Sequence, residues 1–262
     1  KVQASMLRAL NQLSRFLLII ISLALVGACA GSQQRLSNDE IFATSKPANQ
    51  HTTIALLGGT GMVGGHILQQ ALAQGYDLRI LSRSPEKLAY LGERVTIVQG
   101  DARDPQVIET LLEESDVVIS AIGPGSNKKS APDLTSTVSR NVLAAMAKQN
   151  IERYIVISGA AVTMPGDRRN ATGWLMRQLV KLRFASLLKD RQAEYELLSK
   201  SSAKWTLVRC PLIESSNAES TANASLLSPQ SFHLRAGELS RFVIDQIFSD
   251  TYARQGPFVY SR

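Results

Sequence analysis

A doubly wound, parallel α/β sheet is the fold this sequence predicts, and three observations predict it. Short apolar runs at residues 54–57, 76–82, 95–99, 116–121 and 154–157 alternate with helical patterns. The first run breaks into Gly58-x-x-Gly61-x-x-Gly64 and then into the helical spacing of Ile67, Leu68, Ala71 and Leu72. Finally, Gly58, Arg83, Asp101, Gly123 and Ser158 all fall at the C-terminal ends of the expected strands, where such sheets bind ligands.

Each glycine of the first turn has a physical task in a strand-turn-helix unit. Gly58 permits the tight turn, Gly61 lets backbone approach a pyrophosphate, and Gly64 lets the helix lie close to the strand. The helix N-terminus then offers free N–H groups to phosphate oxygens. The second strand, 76–82, follows Gly75 and leads into Arg83-Ser-Pro-Glu-Lys87. An acid at this strand tip accepts the 2′-hydroxyl of NAD, whereas a basic residue suits the 2′-phosphate of NADP. Arg83 and Lys87 without an acid at the tip therefore predict NADP (as NADPH) over NAD.

The third strand, 95–99, ends in Gly100-Asp101, and helical spacing follows from Val107 to Leu112. The fourth, 116–121, ends in the loop Ile122-Gly123-Pro124-Gly125. A long helix is expected over 132–149 before the fifth strand. Between residues 161 and 210 the net charge is +6, from ten basic and four acidic residues. There Leu175, Leu179 and Leu182 share one helix face and Arg177 and Lys181 another, with Arg183 spoiling the division. That segment reads as a solvated basic face, or as a contact for anionic lipid or a substrate carboxylate. A sixth strand at 205–209 ends at Pro211, and 214–231, rich in Ser, Asn and Ala, is expected to be a loop over the site. A helix at 238–248 and a strand at 258–260 close the chain.

The hydrophobic fraction of 44% suffices for one core, so the 262 residues predict a single domain, 51–262, plus a tail. The net charge of +7 is concentrated in that tail and in 161–210, which argues against nucleic-acid binding. Two cysteines and three scattered histidines supply neither a disulfide framework nor zinc spacing, so no metal is expected.

The tail has its own signals. Lys1, Arg8 and Arg15 precede the apolar run 16–28, which is short for a bilayer span but suits a signal-sequence core. Val26-Gly-Ala-Cys29 resembles a bacterial lipobox, in preference to an uncleaved anchor or a buried helix. Residues 1–29 are thus expected to be a lipoprotein-type signal segment, with membrane attachment through lipidated Cys29 in the cell envelope. Residues 30–50 form a linker reaching about 25 Å. The basic flank predicts export, yet reduced NADP is not expected outside the cytoplasm, so the side on which the domain lies stays open.

Taken together, Gly-Gly-Thr-Gly-Met-Val-Gly (58–64), Leu-Ser-Arg (81–83), Gly-Asp (100–101), Ala-Ile-Gly (121–123), Ile-Ser-Gly (157–159) and Trp-Thr-Leu-Val-Arg-Cys-Pro (205–211) resemble the atypical short-chain dehydrogenases/reductases. The chain looks closest to their NmrA-like and biliverdin reductase B (flavin reductase) branch. The resemblance covers residues 52–262 and implies a Rossmann-like domain with small C-terminal loops on the substrate side. It implies that Thr60, Gly61, Met62 and Val63 meet the pyrophosphate, Arg83 and Lys87 the 2′-phosphate, and Asp101 with Ala102 the adenine. Gly123 would lie along the nicotinamide, and Ser158 would face nicotinamide and substrate.

One departure bears on mechanism. Most short-chain dehydrogenases use Tyr-x-x-x-Lys, where the lysine lowers the tyrosine pKa. No tyrosine here has lysine four residues on, because Tyr195 is followed by Ser199, with Lys200 one position too far. Tyr195 is therefore expected to be a packed helix residue. The flavin reductase branch also lacks the pair, and its chemistry resembles hydride transfer to a stacked conjugated acceptor. The leading expectation is thus an NADPH-dependent reductase of a flavin, quinone or tetrapyrrole-like substrate. The alternative is a non-catalytic NAD(P)-binding sensor of NmrA type, and a sugar-nucleotide epimerase comes third.

Overall fold

The computed structural model describes residues 52–123, 131–218 and 220–261. The expected signal segment 1–29 with Cys29, the linker 30–50, and Pro124 and Gly125 lie outside the described residues. Strands and helices alternate as β1 (Thr53–Leu57), α1 (Met62–Ala73), β2 (Asp77–Ser82), a 3-10 segment (Pro85–Arg94), β3 (Val95–Gln99), α2 (Pro105–Leu112), β4 (Val117–Ser120), α3 (Leu134–Gln149) and β5 (Arg153–Gly159). Two successive helices, α4 (Ala171–Arg183) and α5 (Ala185–Lys200), then lead to β6 (Lys204–Cys210). The chain ends with β7 (Leu212–Glu214), β8 (Asn223–Ser225), β9 (His233–Arg235), α6 (Ala236–Asp245) and β10 (Phe258–Tyr260).

The main sheet has the order β3-β2-β1-β4-β5-β6-β10-β8 and is parallel except where β8 pairs antiparallel with β10. This is the doubly wound sheet the sequence predicts. Strands buried on both faces explain its near-continuous apolar runs. Alternate residues serve the two layers. Ile54, Leu56, Ile119 and Ile155 pack against Ile67 and Leu68 of α1 and Leu239 and Phe242 of α6. Ala55, Leu57, Val118 and Val156 pack against Ile108 of α2, Val138 and Val142 of α3, and Leu198 of α5. The chain steps outward from β1 through β2 to β3 and then crosses back to β4 on the other side of β1, so a crevice opens between β1 and β4 at their C-terminal ends.

Two regions differ from the expectation. The stretch 214–231 is not all loop, since Asn223 and Ser225 of β8 pair with Tyr260 and Phe258, and β7 pairs with β9 in a small second sheet. Three-residue strands are too short to show alternation. The second difference is the orientation of α4. Its shared leucine face does not enter the core, because Leu175 is 52% and Leu182 85% exposed, while Arg177 turns inward to donate to the Ala161 carbonyl. Among the described residues, no helix is long and apolar enough to cross a membrane.

Candidate nucleotide and substrate site

The glycine turn after β1 is closed by geometry that only glycine allows. Gly58 sits at φ +81°, and a Cβ there would lie 2.8 Å from the Ala121 carbonyl oxygen, at the end of β4. Gly61 donates to the Gly58 carbonyl at 2.9 Å. A Cβ on buried Gly64 would fall 2.0 Å from that same carbonyl oxygen, so α1 is seated directly on the turn. No side chain caps α1 at Gly61, and its first turn holds no acid. By contrast, Asp104 caps α2 and Asn170 caps α4, each through a backbone N–H. Among the described residues no side chain thus occupies the N-terminus of α1, a geometry that could receive an anion, and exposed Thr60, Gly61 and Met62 with half-buried Val63 surround it.

The next strand ends lie beside this turn. Arg83 and Lys87 follow β2, both exposed and without an ion-pair partner among the described residues. Gly100 donates to the Ser82 carbonyl at 3.1 Å, which ties the β3 end to the β2 end. Exposed Asp101 accepts the Arg103 N–H at 2.9 Å. The side chain of Ala102 is buried in the core beside α2 and α3, so only its backbone can serve a ligand. Asn141 of α3 clamps this loop by donating to the Arg103 carbonyl at 3.0 Å. Gly123, after β4, is exposed, with nothing among the described residues within 4 Å of where a Cβ would stand.

Ser158 is the polar residue at the end of β5, on the same side of the sheet as Tyr154 and Val156. Its hydroxyl is buried, with 4% residue exposure, and has no hydrogen-bond partner among the described residues. A buried hydroxyl left unpaired is costly, and such groups in native structures commonly await a ligand or water.

A layer of charged side chains stands behind these loops, and the sequence reading did not assign it. Arg191 of α5 donates to the Ile122 carbonyl at 2.6 Å and to Glu194 at 2.8 Å. Glu194 accepts from Ser139 at 2.8 Å, and the Ser139 hydroxyl lies 3.0 Å from that of Tyr154. Since Ser139 donates to Glu194, Tyr154 donates to Ser139, and burial followed by the Glu194 charge pushes the Tyr154 phenol well above its ordinary range. The neighbouring Asp190 accepts from Thr135 and Ser136 backbone N–H groups at 2.8 and 3.0 Å, which caps α3 from a distance. The helix α5 therefore fixes both the Ile122–Gly123 loop and the start of α3.

The loop after β5 is secured likewise. Arg209, 1% exposed in register with Ser158, donates to both Asp167 oxygens at 2.8 Å and to the Gly256 carbonyl at 2.7 Å. Its guanidinium stacks 3.6 Å from the Phe258 ring centroid. Arg169 donates to the Ala160 and Val162 carbonyls at 2.7 and 2.6 Å. Burial lowers the pKa of both guanidinium groups, and Asp167 opposes that shift. The sequence signal for Arg209 was the alternation Trp205, Leu207, Arg209, which points a charge into an apolar layer.

Tyr195 packs edge-on against Trp205, with centroids 6.1 Å apart at 77°. Burial raises its phenol, more than the nearby Arg209 charge lowers it. That is the opposite of what a lysine-activated tyrosine requires. Among the described residues, no group of His, Cys, Asp and Glu could hold a metal ion. A cavity of about 400 Å³ lined by Thr52, Asp116, Glu152, Arg153 and Lys204 lies at the strand N-terminal ends, opposite the glycine turn.

Comparison with known proteins bears on this arrangement. A family model described as NAD(P)H-binding matches residues 58–245. The Photosystem II assembly factor Ycf39 of Synechocystis is 32% identical over 111 residues, 40% of this chain and 33% of that protein. The chain spans under half the length of the curated relatives it matches. Among solved structures, the Escherichia coli anaerobilin reductase ChuY superposes with a TM-score of 0.64 at 19% identity, covering 80% of this chain and 97% of that one. A Veillonella parvula short-chain dehydrogenase/reductase in complex with NADP gives 0.64 at 16% identity, covering 80% and 94%. At these identities the structural likeness establishes the fold that the sequence motifs resembled.

Proposed function

We propose, from the premise that this chain belongs to the NAD(P)H-binding family, that it is an NADPH-dependent reductase. Its substrate would be a flat, conjugated acceptor of the flavin, quinone or tetrapyrrole class. The observation that carries this reading is the unpaired, buried hydroxyl of Ser158 in a site with no activated tyrosine.

The residues fit such a cofactor. The uncapped N-terminus of α1 at Gly61 offers N–H groups and the positive end of a helix dipole to a pyrophosphate. Arg83 and Lys87 supply positive charge where a 2′-phosphate would lie, and the tip of β2 itself carries no acid to select a bare ribose. The reduced nicotinamide supplies hydride when bound. The chain's own part is to fix geometry. Arg191 holds the Ile122 carbonyl and so the edge of the nicotinamide side. Arg209, Asp167 and Arg169 hold the loop beyond Ser158. Ser158 can then donate to a carbonyl or ring nitrogen of the acceptor. Holding two rings in register contributes much of the rate in such a transfer, and solvent can deliver the proton. The same reading attaches the domain to a membrane through lipidated Cys29, and fatty-acid labelling of wild type but not of Cys29→Ser tests that attachment.

Purified chain should oxidise NADPH when given free flavin or a quinone, followed by loss of cofactor fluorescence. Tyr195→Phe should keep most of that activity. NADPH binding without oxidation by any acceptor would replace the reductase with the NAD(P)-binding sensor. A thousandfold loss in Tyr195→Phe would restore a tyrosine mechanism.

A further inference from the structure

The helix α4 is unusual for its exposure. Of its thirteen residues only Gly173 is buried. Trp174 is 58% exposed, Leu175 52%, Met176 41% and Leu182 85%, and Phe184 follows at 38%. A surface helix of a globular domain turns its apolar stripe inward, whereas this one is held at its back by polar contacts. Arg177 donates to the Ala161 carbonyl at 3.1 Å, and the Asn170 side chain accepts the Gly173 N–H at 2.8 Å. Exposed Leu226 and Leu227 extend the apolar area beside the helix start, where the Leu227 carbonyl accepts the Arg168 N–H at 2.7 Å.

Charge defines what this face fits. Between Arg168 and Lys189 the sequence has six basic residues and no acid. Leu175 and Leu182, seven residues apart, fall within about 20° of one another around the helix. Lys181 and Arg183 stand about 100° to either side of Leu182. An apolar ridge with Leu175 and Leu182 at its crest, and with Trp174 beside Lys181 on one flank and Met176 beside Arg183 on the other, matches an interfacial helix. The cations would meet headgroup phosphates while the ridge enters the acyl boundary. A leucine 85% exposed protrudes, so the face is a ridge to be pressed into a soft surface and not a groove for a peptide. A second copy of the chain would bring like charges together across a twofold axis.

We propose that α4, with Leu226 and Leu227, docks this domain onto an anionic lipid surface. The proposal does not depend on turnover, nor on the lipid attachment of the tail.

The chain has two tryptophans, and they divide the measurement cleanly, because Trp205 is 3% exposed and Trp174 is 58% exposed. Full-length protein is titrated with phosphatidylglycerol vesicles, and Trp174→Phe identifies the source of the signal. Emission from Trp174 should shift to the blue and be quenched by lipid brominated in the acyl chain. Phosphatidylcholine vesicles should have little effect. Lys181→Gln and Arg183→Gln should each weaken the shift about fivefold, at roughly one surface cation apiece. Leu182→Glu should abolish it, and at so exposed a site it leaves the fold intact. Trp174 emission unchanged on anionic vesicles, even when the protein sediments with them through its tail, overturns the proposal. So does an equal shift with phosphatidylcholine, with soluble polyglutamate, or with rising protein concentration in the absence of lipid. The last two outcomes would assign the face to an acidic partner or to self-association.

Discussion

The two halves of the sheet build their parts of the site by opposite means. Through residue 149 no charged side chain is buried among the described residues, whereas the stretch after it buries Arg153, Asp190, Arg191, Glu194, Arg209 and Glu238. The first half shapes its glycine turn from backbone alone, with glycines that bring Gly58, Ala121 and α1 together. The second half arranges side chains at Ser158 by clamping its loops with guanidinium and carboxylate groups. A shared chemical part, the pyrophosphate, needs only N–H groups and a dipole. A particular acceptor needs loops of particular shape, and buried charge pairs fix such loops at the risk of large penalties when broken.

The comparison predicts where the largest effect lies. Gly64→Ala places a methyl 2.0 Å from a backbone oxygen that cannot yield without undoing the turn. Destabilisation beyond about 4 kcal/mol is expected, with nucleotide binding lost. Gly123→Ala, where a Cβ meets nothing within 4 Å among the described residues, is the control and should leave the melting temperature unchanged. Equal melting of the two variants would remove the claim that the first half rests on backbone contact.

In the second half the corresponding lesion is Glu194→Leu, which strands the buried Arg191 guanidinium. A loss of about 3–5 kcal/mol is expected from chemical denaturation. Arg191→Met with Glu194→Leu should recover much of it, because both charges then leave the interior together. Additive losses in the pair would mean that the two side chains act independently.

Arg83→Ala probes the exposed edge of the first half. It should weaken NADPH by about 10- to 150-fold while leaving NADH nearly unchanged, measured by fluorescence titration. Equal losses for both cofactors would detach Arg83 from the 2′-phosphate. Ser158→Ala probes the second half more gently, with a drop in turnover of roughly 2- to 15-fold. Its stability should stay level or rise, because the hydroxyl has no partner to lose. A fall in both would make Ser158 a structural residue.

These contrasts also explain what could be read from the sequence. The strands β1 to β6 and the turn at Gly58–Gly64 were legible because apolar runs and glycine spacing are local signals. So was the placement of Arg83, Asp101, Gly123 and Ser158 at strand ends, which follows from topology once the strands are known. The Arg191–Glu194–Ser139–Tyr154 chain was not, since its members lie up to 55 residues apart and meet only in the folded state. The orientation of α4 was also out of reach. Its leucines share a face, but nothing local says whether that face meets the core, and the Ala161 carbonyl draws Arg177 inward instead. Asn223 and Ser225 form a strand because β10 presents an open edge, not through any propensity of their own.

The smallest expected effect sharpens the comparison from the first half. That half buries no charged side chain among the described residues, and one imidazole, in α1, loses solvent on folding. His66 is half-buried, and burial holds its pKa below the ordinary value of 6.5. Above that value the imidazole is neutral in both folded and unfolded chains, and it contributes no pH dependence. As pH falls through 6.5 the unfolded chain takes up the proton first, which favours unfolding. The penalty grows until the folded chain also protonates, and below that point it is constant. Thermal melts should therefore show a modest loss of stability on the acid side of 6.5, and His66→Gln should flatten the curve there while matching wild type above it. An acid-side slope that survives in His66→Gln would assign the proton to a group other than His66 and remove the link between its burial and the acid-side loss.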